Sequence, residues 1–221
     1  MVTMFPSVPI GTLDEFFVVL MQKCNVYIDD GYLAKISKHF GDGNYLKIDY
    51  FKLANNMSRD LRYWCKERYL YCAPPFQSNP PTQEESLRKS GYDRVMASLS
   101  KCPDFYVREG RLQNVDGQFH QKGVDTLLTM DLMNLAISNG KIRTAILLTC
   151  DTDFVPIIKK IRESGIKAIL YYYSDFQRNS HFSMSDHLLS VVDEKILITE
   201  NFLKKSLMRN NNWNGGEKLS S

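Results

Sequence analysis

The sequence lacks Cys-x-x-Cys pairs, a large excess of charge of either sign, and any segment typical of export or membrane anchoring. Its five cysteines cannot all pair, which argues against a disulfide framework or a structural zinc site and favours a reducing, cytoplasmic location. The formal charge of +3 excludes a histone-like chain but leaves room for a local basic groove. The apolar run Phe16–Met21 is too short to span a bilayer and follows acidic residues, so no membrane association is predicted.

The composition is that of a globular protein: 43% of the 221 residues are hydrophobic and 24% are charged. A capping box at Thr12–Glu15 predicts an amphipathic helix within an N-terminal extension over residues 1–22. This helix would cover the core or contribute to a homodimer. The Asn-, Gly- and Ser-rich residues 209–221 are predicted to be a disordered tail, which leaves a single domain over residues 23–208.

Strand-like and helix-like segments alternate through this domain. The continuous apolar runs Ala145–Thr149 and Ile166–Tyr172 are typical of strands buried on both faces of a parallel sheet. Repeated alternation predicts an α/β fold with a mostly parallel sheet. Further strands are predicted near residues 25–29, 68–72, 104–107 and 196–198, and helices near 48–66, 82–100, 121–138, 154–164, 183–189 and 200–208.

Carboxylates follow two of the predicted buried strands. Asp29 ends the first strand, and Asp151 and Asp153 follow Ala145–Thr149. Sites in open α/β sheets form beyond the carboxyl ends of the strands, so we expect these carboxylates to converge. Each acid alone could be a turn residue or a helix cap, but their coincidence favours a site. A cluster of carboxylates repels unless a cation neutralises it, and its oxygens suit Mg²⁺ or Mn²⁺.

The helix predicted to begin at Gln121 adds two carboxylates. Asp125 lies in its first turn, at the edge of the apolar stripe, where it could face the cleft. Asp131 falls inside the stripe, and a buried carboxylate needs partners. We favour backbone groups of a neighbouring loop as those partners. The alternative is that Asp131 reaches the acid cluster and helps to position its carboxylates.

Several segments, taken in order, resemble the NYN domain of the PIN-like nuclease superfamily. The most specific pair is Lys122-Gly-Val-Asp125 followed by Asp151-Thr-Asp153-Phe-Val-Pro156. The resemblance runs from about residue 25 to residue 203. Three further segments resemble the opening strand of the family and parts of its bacterial branch: Val26-Tyr-Ile-Asp29, Tyr71-Cys-Ala-Pro74-Pro75 and Glu109-Gly110-Arg111-Leu112.

The resemblance implies a three-layer α/β/α sandwich, PIN-like in architecture, and a metal-dependent ribonuclease that hydrolyses phosphodiester bonds. Single-stranded RNA is the expected substrate, because a flexible strand can bend a phosphate into a metal cleft more easily than a stiff duplex can. The matching positions, implied both as catalytic residues and as ligands of Mg²⁺ or Mn²⁺, are Asp29, Asp125, Asp151 and Asp153.

Other side chains around the predicted cleft would support catalysis or bind RNA. Thr149 or Thr152 could position a water, and Asp131 could stand behind the aspartates. Each basic residue taken alone would be an ordinary solvated surface charge. The basic residues predicted to contact RNA are Lys122, Arg108, Arg111 and Arg178.

Two positions depart from the family pattern. Tyr32 stands where Asn is usual, and Cys150 stands where Gly is common. Both changes favour an alternative function, a catalytically weak or inactive NYN-fold module that binds nucleic acid or protein. A phosphatase is disfavoured because its Asp-x-Asp motif would lie on the first strand, whereas Asp151-Thr-Asp153 comes late in the chain.

Overall fold

The computed structural model describes residues 21–115, 118–138, 140–175 and 186–208. The predicted N-terminal helix, apart from residue 21, the predicted tail from residue 209 and Arg178 lie outside these residues. No described helix combines the length and the apolar character that a membrane crossing requires.

Eight strands form within the described residues, six in a central sheet and two in a separate hairpin. Across the central sheet the strands follow in the order third, second, first, sixth, seventh and eighth. Every adjacent pair is parallel. The predicted parallel sheet is thereby confirmed. The strands are β1 (Lys23–Asp29), β2 (Trp64–Cys72), β3 (Phe105–Glu109), β4 (Arg111–Val115), β5 (Gln118–Lys122), β6 (Thr144–Leu148), β7 (Lys167–Tyr172) and β8 (Glu194–Leu197).

Seven α-helices of the described residues cover both faces of the sheet. They are α1 (Asp30–Phe40), α2 (Tyr50–Arg59), α3 (Gln83–Leu99), α4 (Val124–Ile137), α5 (Val155–Glu163), α6 (Asp186–Ser190) and α7 (Glu200–Lys204). Helices α1, α2, α3 and α7 share one hydrophobic core with the sheet, and α4, α5 and α6 share the other. β6 and β7 are apolar in every position but the first, because both of their faces are covered. This is the predicted α/β/α sandwich.

The chain leaves the centre of the sheet in two directions. From β1 it proceeds to β2 and β3 at one edge, and from β6 to β7 and β8 at the other. β1 and β6 pair directly, with Ile28 opposite Leu148. A crevice forms beyond the carboxyl ends of two such strands, because their connections diverge. Asp29 ends β1 and Thr149 follows β6, so both residues lie at this crevice.

The structure has helix α1 over residues 30–40, where no helix is predicted from the sequence. Asp29 caps this helix: its Oδ1 accepts a hydrogen bond from the Tyr32 backbone N–H at 3.3 Å. The buried face of α1 carries Tyr32, Leu33 and Ile36, whose spacing is helical. The acid that ends β1 therefore also begins the next helix.

Two predicted helices have wrong boundaries. The helix predicted over residues 48–66 ends at Arg59, and Trp64 already belongs to β2. Arg62 lies between them with a φ of 61°, a left-handed conformation that ends a helix. The helix predicted from Gln121 begins only at Val124, because residues 118–122 form β5 and pair with β4.

Candidate active site

A cleft of about 350 Å³ opens at the crevice between β1 and β6. Three predicted aspartates line it, and each comes from a different element: Asp29 from the end of β1, Asp125 from the first turn of α4, and Asp151 from the turn after β6. The other lining residues are Gly31, Tyr32, Lys35, Gln121, Cys150 and Thr152.

Asp29 is the most enclosed carboxylate of the cleft. Its Oδ2 accepts a hydrogen bond from the Thr149 hydroxyl at 3.1 Å, in addition to the Tyr32 N–H on Oδ1. Burial raises the pKa of the Asp29 carboxyl to about 6, although both hydrogen bonds act to lower it. The Thr149 oxygen also accepts the Asp151 N–H at 3.3 Å, so one buried hydroxyl connects the ends of both central strands.

Asp125 and Asp151 also line the cleft, whereas Asp153 does not. Asp151 caps the short 3-10 helix Thr152–Phe154, because its Oδ1 accepts the Asp153 N–H at 2.8 Å. Burial and then the charges of Asp151 and Asp153 raise the pKa of Asp125. Asp153 is exposed and is not among the described residues that line the cleft. The structure thus brings three of the four predicted aspartates around the cleft, with the fourth close enough to repel Asp125.

The cleft offers mainly oxygen donors, from three carboxylates, the Thr152 hydroxyl and the Gln121 amide. The Cys150 thiol stays protonated near neutral pH because burial raises its pKa to about 11. Such donors fit a hard cation such as Mg²⁺ or Mn²⁺. Across the described ranges, no three His, Cys, Asp or Glu side chains form a ready-made metal cluster, so ion binding requires carboxylates to turn towards the ion.

Three residues that line the cleft were not predicted from the sequence: Gly31, Lys35 and Gln121. A Cβ atom on Gly31 would lie 3.2 Å from Asp29 Oδ1 and 3.5 Å from Gln121 Oε1, so the glycine keeps the floor of the cleft open. Lys35 is exposed at the cleft, one turn after Gly31 on α1. The helical spacing of Tyr32, Leu33 and Ile36 was the available signal for α1, and therefore for Lys35.

The family model of the NYN domain matches residues 23–199. The chain belongs to the NYN domain family. Among solved structures, the protein of unknown function VPA0982 from Vibrio parahaemolyticus is similar to this chain, with a TM-score of 0.54 and 14% identity. The similarity covers 85% of this chain and 97% of that chain, and at this identity it supports the fold alone. No curated protein matches the chain.

The NYN family is generally nuclease-related. The two positions that depart from its pattern, Tyr32 and Cys150, both lie at the cleft. Tyr32 is only 1% exposed, and its hydroxyl accepts the Tyr173 N–H at 2.8 Å. It therefore packs in the core beneath the cleft and ties α1 to the end of β7. Cys150 lies between Thr149 and Asp151, where its neutral thiol adds no charge to the cleft.

Within the described ranges, the Asp131 carboxylate of the NYN domain is not bonded by backbone groups of a loop, the partners favoured from the sequence. Among the described residues its carboxylate accepts hydrogen bonds from side chains: the Tyr71 hydroxyl at 2.9 Å, and Arg108 Nε at 2.9 Å and Nη2 at 3.3 Å. These bonds tie α4 to β2 and β3. Because Asp125 is on the same helix, they also fix where that carboxylate stands.

The basic residues predicted to bind RNA lie beside the cleft rather than in it. Arg111 and Lys122 are cross-strand partners at the base of the β4–β5 hairpin, and both are exposed. Side chains alternate along a strand, so the two lie on the opposite hairpin face from Gln121, which lines the cleft. Arg108 is paired with Asp131.

Proposed function

We propose that this NYN domain is a metal-dependent nuclease that hydrolyses phosphodiester bonds, with single-stranded RNA as its substrate. The observation that carries the proposal is the meeting of Asp29, Asp125 and Asp151 around one cleft at the switch point of the sheet. The pKa values of Asp29 and Asp125 are both raised there. The ionised carboxylates are therefore unfavourable in this cleft, and a divalent cation would stabilise them by reducing their repulsion.

In this proposal Asp29, Asp125 and Asp151 would hold the ion, and the exposed Asp153 would assist them. When bound, Mg²⁺ or Mn²⁺ supplies positive charge that polarises the phosphodiester and makes a water molecule more nucleophilic. Thr149 orients Asp29 through its hydroxyl. Thr152 lies in the lining, where its hydroxyl can orient the attacking water.

Lys35, Arg111 and Lys122 are exposed cations in or beside the cleft and are suited to attract the phosphates of the substrate. The cleft lies in a crevice bounded by α1, α4 and the hairpin. A flexible single strand can bend a phosphate into such a crevice more easily than a stiff duplex can. The proposed substrate is therefore unpaired RNA.

The experiment is cleavage of an end-labelled RNA oligonucleotide, single-stranded or annealed, by the purified protein with Mg²⁺, Mn²⁺ or a chelator. Asp151→Asn, purified in parallel, is the matched control, because the asparagine Oδ1 can still accept the Asp153 N–H. We expect cleavage of the single strand with metal, and none in chelator or by the variant. Equal cleavage by the variant would contradict the proposal.

The alternative is an NYN-fold binding module without catalysis. The turn Thr149–Asp151 favours it in one respect, since Asp151 already serves as a helix cap and Cys150 precedes it. If the protein cuts no RNA but binds it equally well with metal and with chelator, this alternative replaces the nuclease proposal.

A further inference from the structure

Three tyrosine rings stack in a row across the sheet, on the face that carries α4. Tyr27, Tyr69 and Tyr106 are register partners on β1, β2 and β3. Their ring centroids are 5.0 and 5.2 Å apart, with interplanar angles of 3° and 27°. The spacing follows that of the strands, about 4.8 Å. Tyr27 is buried, Tyr69 is half-buried and Tyr106 is 40% exposed, so the row opens towards solvent as it approaches the edge of the sheet.

Among the described residues, no further ring stacks on the outer side of Tyr106. β3 is the edge strand of the sheet that the described part of the chain forms, so none of that sheet's strands covers the outer side of Tyr106. Arg108 lies two residues further along on the same face, and its guanidinium is 5.7 Å from the centroid of Tyr69 and 6.0 Å from that of Tyr106. Exposed aromatic rings beside arginine are the surfaces on which proteins stack unpaired nucleobases.

Two exposed basic residues lie in the chain between this ring and the cleft. Arg111 follows the end of β3 after Gly110 alone, and Lys122 is its cross-strand partner. Asp125 of the cleft comes three residues after Lys122. Arg108 and Asp29 stand in register with Tyr71 between them, so their Cα atoms are about 10 Å apart across two strand spacings. The edge strand that carries Tyr106 is therefore only two strand spacings from the end of β1.

We infer that Tyr106 is a base-stacking subsite for single-stranded RNA. An unpaired base of the substrate continues the tyrosine row on the outer side of Tyr106, and Arg111 and Lys122 contact the phosphates between this base and the cleft. The inference rests on the proposed function and deepens it, because it requires a substrate whose base faces are accessible. Every base has such a face, so the subsite tolerates any sequence.

The test is equilibrium binding of a fluorescent single-stranded RNA oligonucleotide in chelator, in an Asp151→Asn background, so that neither metal nor cleavage contributes. Tyr106→Ala should weaken binding by about 5- to 100-fold. Tyr106→Phe should retain affinity, because the ring remains. The matched control is Tyr45→Ala, which removes a tyrosine that is 67% exposed and contacts Lys38 of α1, on the other side of the sheet.

The salt dependence separates stacking from charge. Tyr106→Ala should leave the slope of log affinity against log salt unchanged, whereas Lys122→Ala should reduce its magnitude by about 0.7. An oligonucleotide that lacks the stacked base should bind the parent protein as weakly as the complete one binds Tyr106→Ala. If Tyr106→Ala fails to fold, as judged by thermal melting, Tyr106→Leu keeps the bulk without the ring and takes its place.

The outcomes for the subsite and for the nuclease can be told apart. Unchanged RNA affinity in folded Tyr106→Ala, or in Tyr106→Leu where that variant takes its place, overturns the subsite, even if metal-dependent cleavage by the parent protein is observed. Loss of affinity in Tyr106→Ala, together with no cleavage by the parent protein, supports the subsite and removes the nuclease proposal.

Discussion

Replacing Asp29 with asparagine should stabilise the protein at neutral pH while it ends the proposed activity. The asparagine has nearly the same shape, and its Oδ1 can still accept one of the two hydrogen bonds that Asp29 receives. It differs in carrying no charge, and burial of that charge is the main reason why the pKa of Asp29 is raised.

The magnitude follows from the pKa. A rise from 3.8 to about 6 means that ionised Asp29 costs the folded state about 3 kcal/mol relative to the unfolded chain. Because the folded-state pKa is the higher one, the stability associated with protonated Asp29 is fully present below about pH 4 and is lost as the pH rises through 6. The asparagine forfeits one hydrogen bond, worth about 1 kcal/mol. The net gain at pH 7.5 is therefore about 2 kcal/mol, and near pH 4 it becomes a small loss.

The assay is urea unfolding of both proteins in chelator at several pH values between 4 and 8. The difference between their free energies of unfolding should increase by about 2.5 kcal/mol across this range. Asp42→Asn, which neutralises an exposed carboxylate outside the cleft lining, serves as the control. A difference between the Asp29 variant and the parent that stays constant with pH would refute the reasoning. Added Mn²⁺ should stabilise only the parent protein, because the variant lacks a charged ligand.

Asp151→Asn should abolish metal-dependent cleavage and leave the melting temperature equal or higher, because it removes repulsion on Asp125 and keeps the cap of the 3-10 helix. Asp131→Ala should lower the free energy of unfolding in urea by about 1–3 kcal/mol, since Arg108 and a tyrosine hydroxyl lose their acceptor; equal losses in Asp151→Asn and Asp131→Ala would contradict this division. Gly31→Ala should weaken Mn²⁺ binding measured by calorimetry, because its Cβ would lie 3.2 Å from Asp29 Oδ1, while helix propensity keeps stability equal or raises it by up to about 1 kcal/mol.

The parallel sheet and the order of its main elements could be predicted because local signals agreed with the fold. Ala145–Leu148 is apolar throughout and is buried on both faces. Asp29 and Asp151 follow such runs, so the convergence of their carboxylates at one edge required only that the strands be central and parallel. For these features the local sequence pattern and the strand topology lead to the same prediction.

The remaining details depend on contacts that no local pattern contains. The hairpin that replaces the start of the predicted helix carries Gln121 into the cleft and turns Lys122 away from it, a reversal that strand alternation explains only once β5 is known. Asp131 accepts hydrogen bonds from both Tyr71 and Arg108 because the strand register places these two residues side by side, on β2 and β3 respectively. The stacked row that ends at Tyr106 likewise exists only across strands distant in sequence.

The hydrogen bond between Thr149 and Asp29 joins residues 120 positions apart, which has a consequence during synthesis. A nascent chain that has not yet emerged beyond β6 has Asp29 but lacks its threonine partner and Asp151. The cleft is therefore among the last features to be completed, after long-range strand pairing has closed the centre of the sheet. Two fragments divided between β4 and β5 would carry Asp29 on one piece and Asp125 with Asp151 on the other, so recovery of cleavage on mixing would report reassembly of β1 against β6.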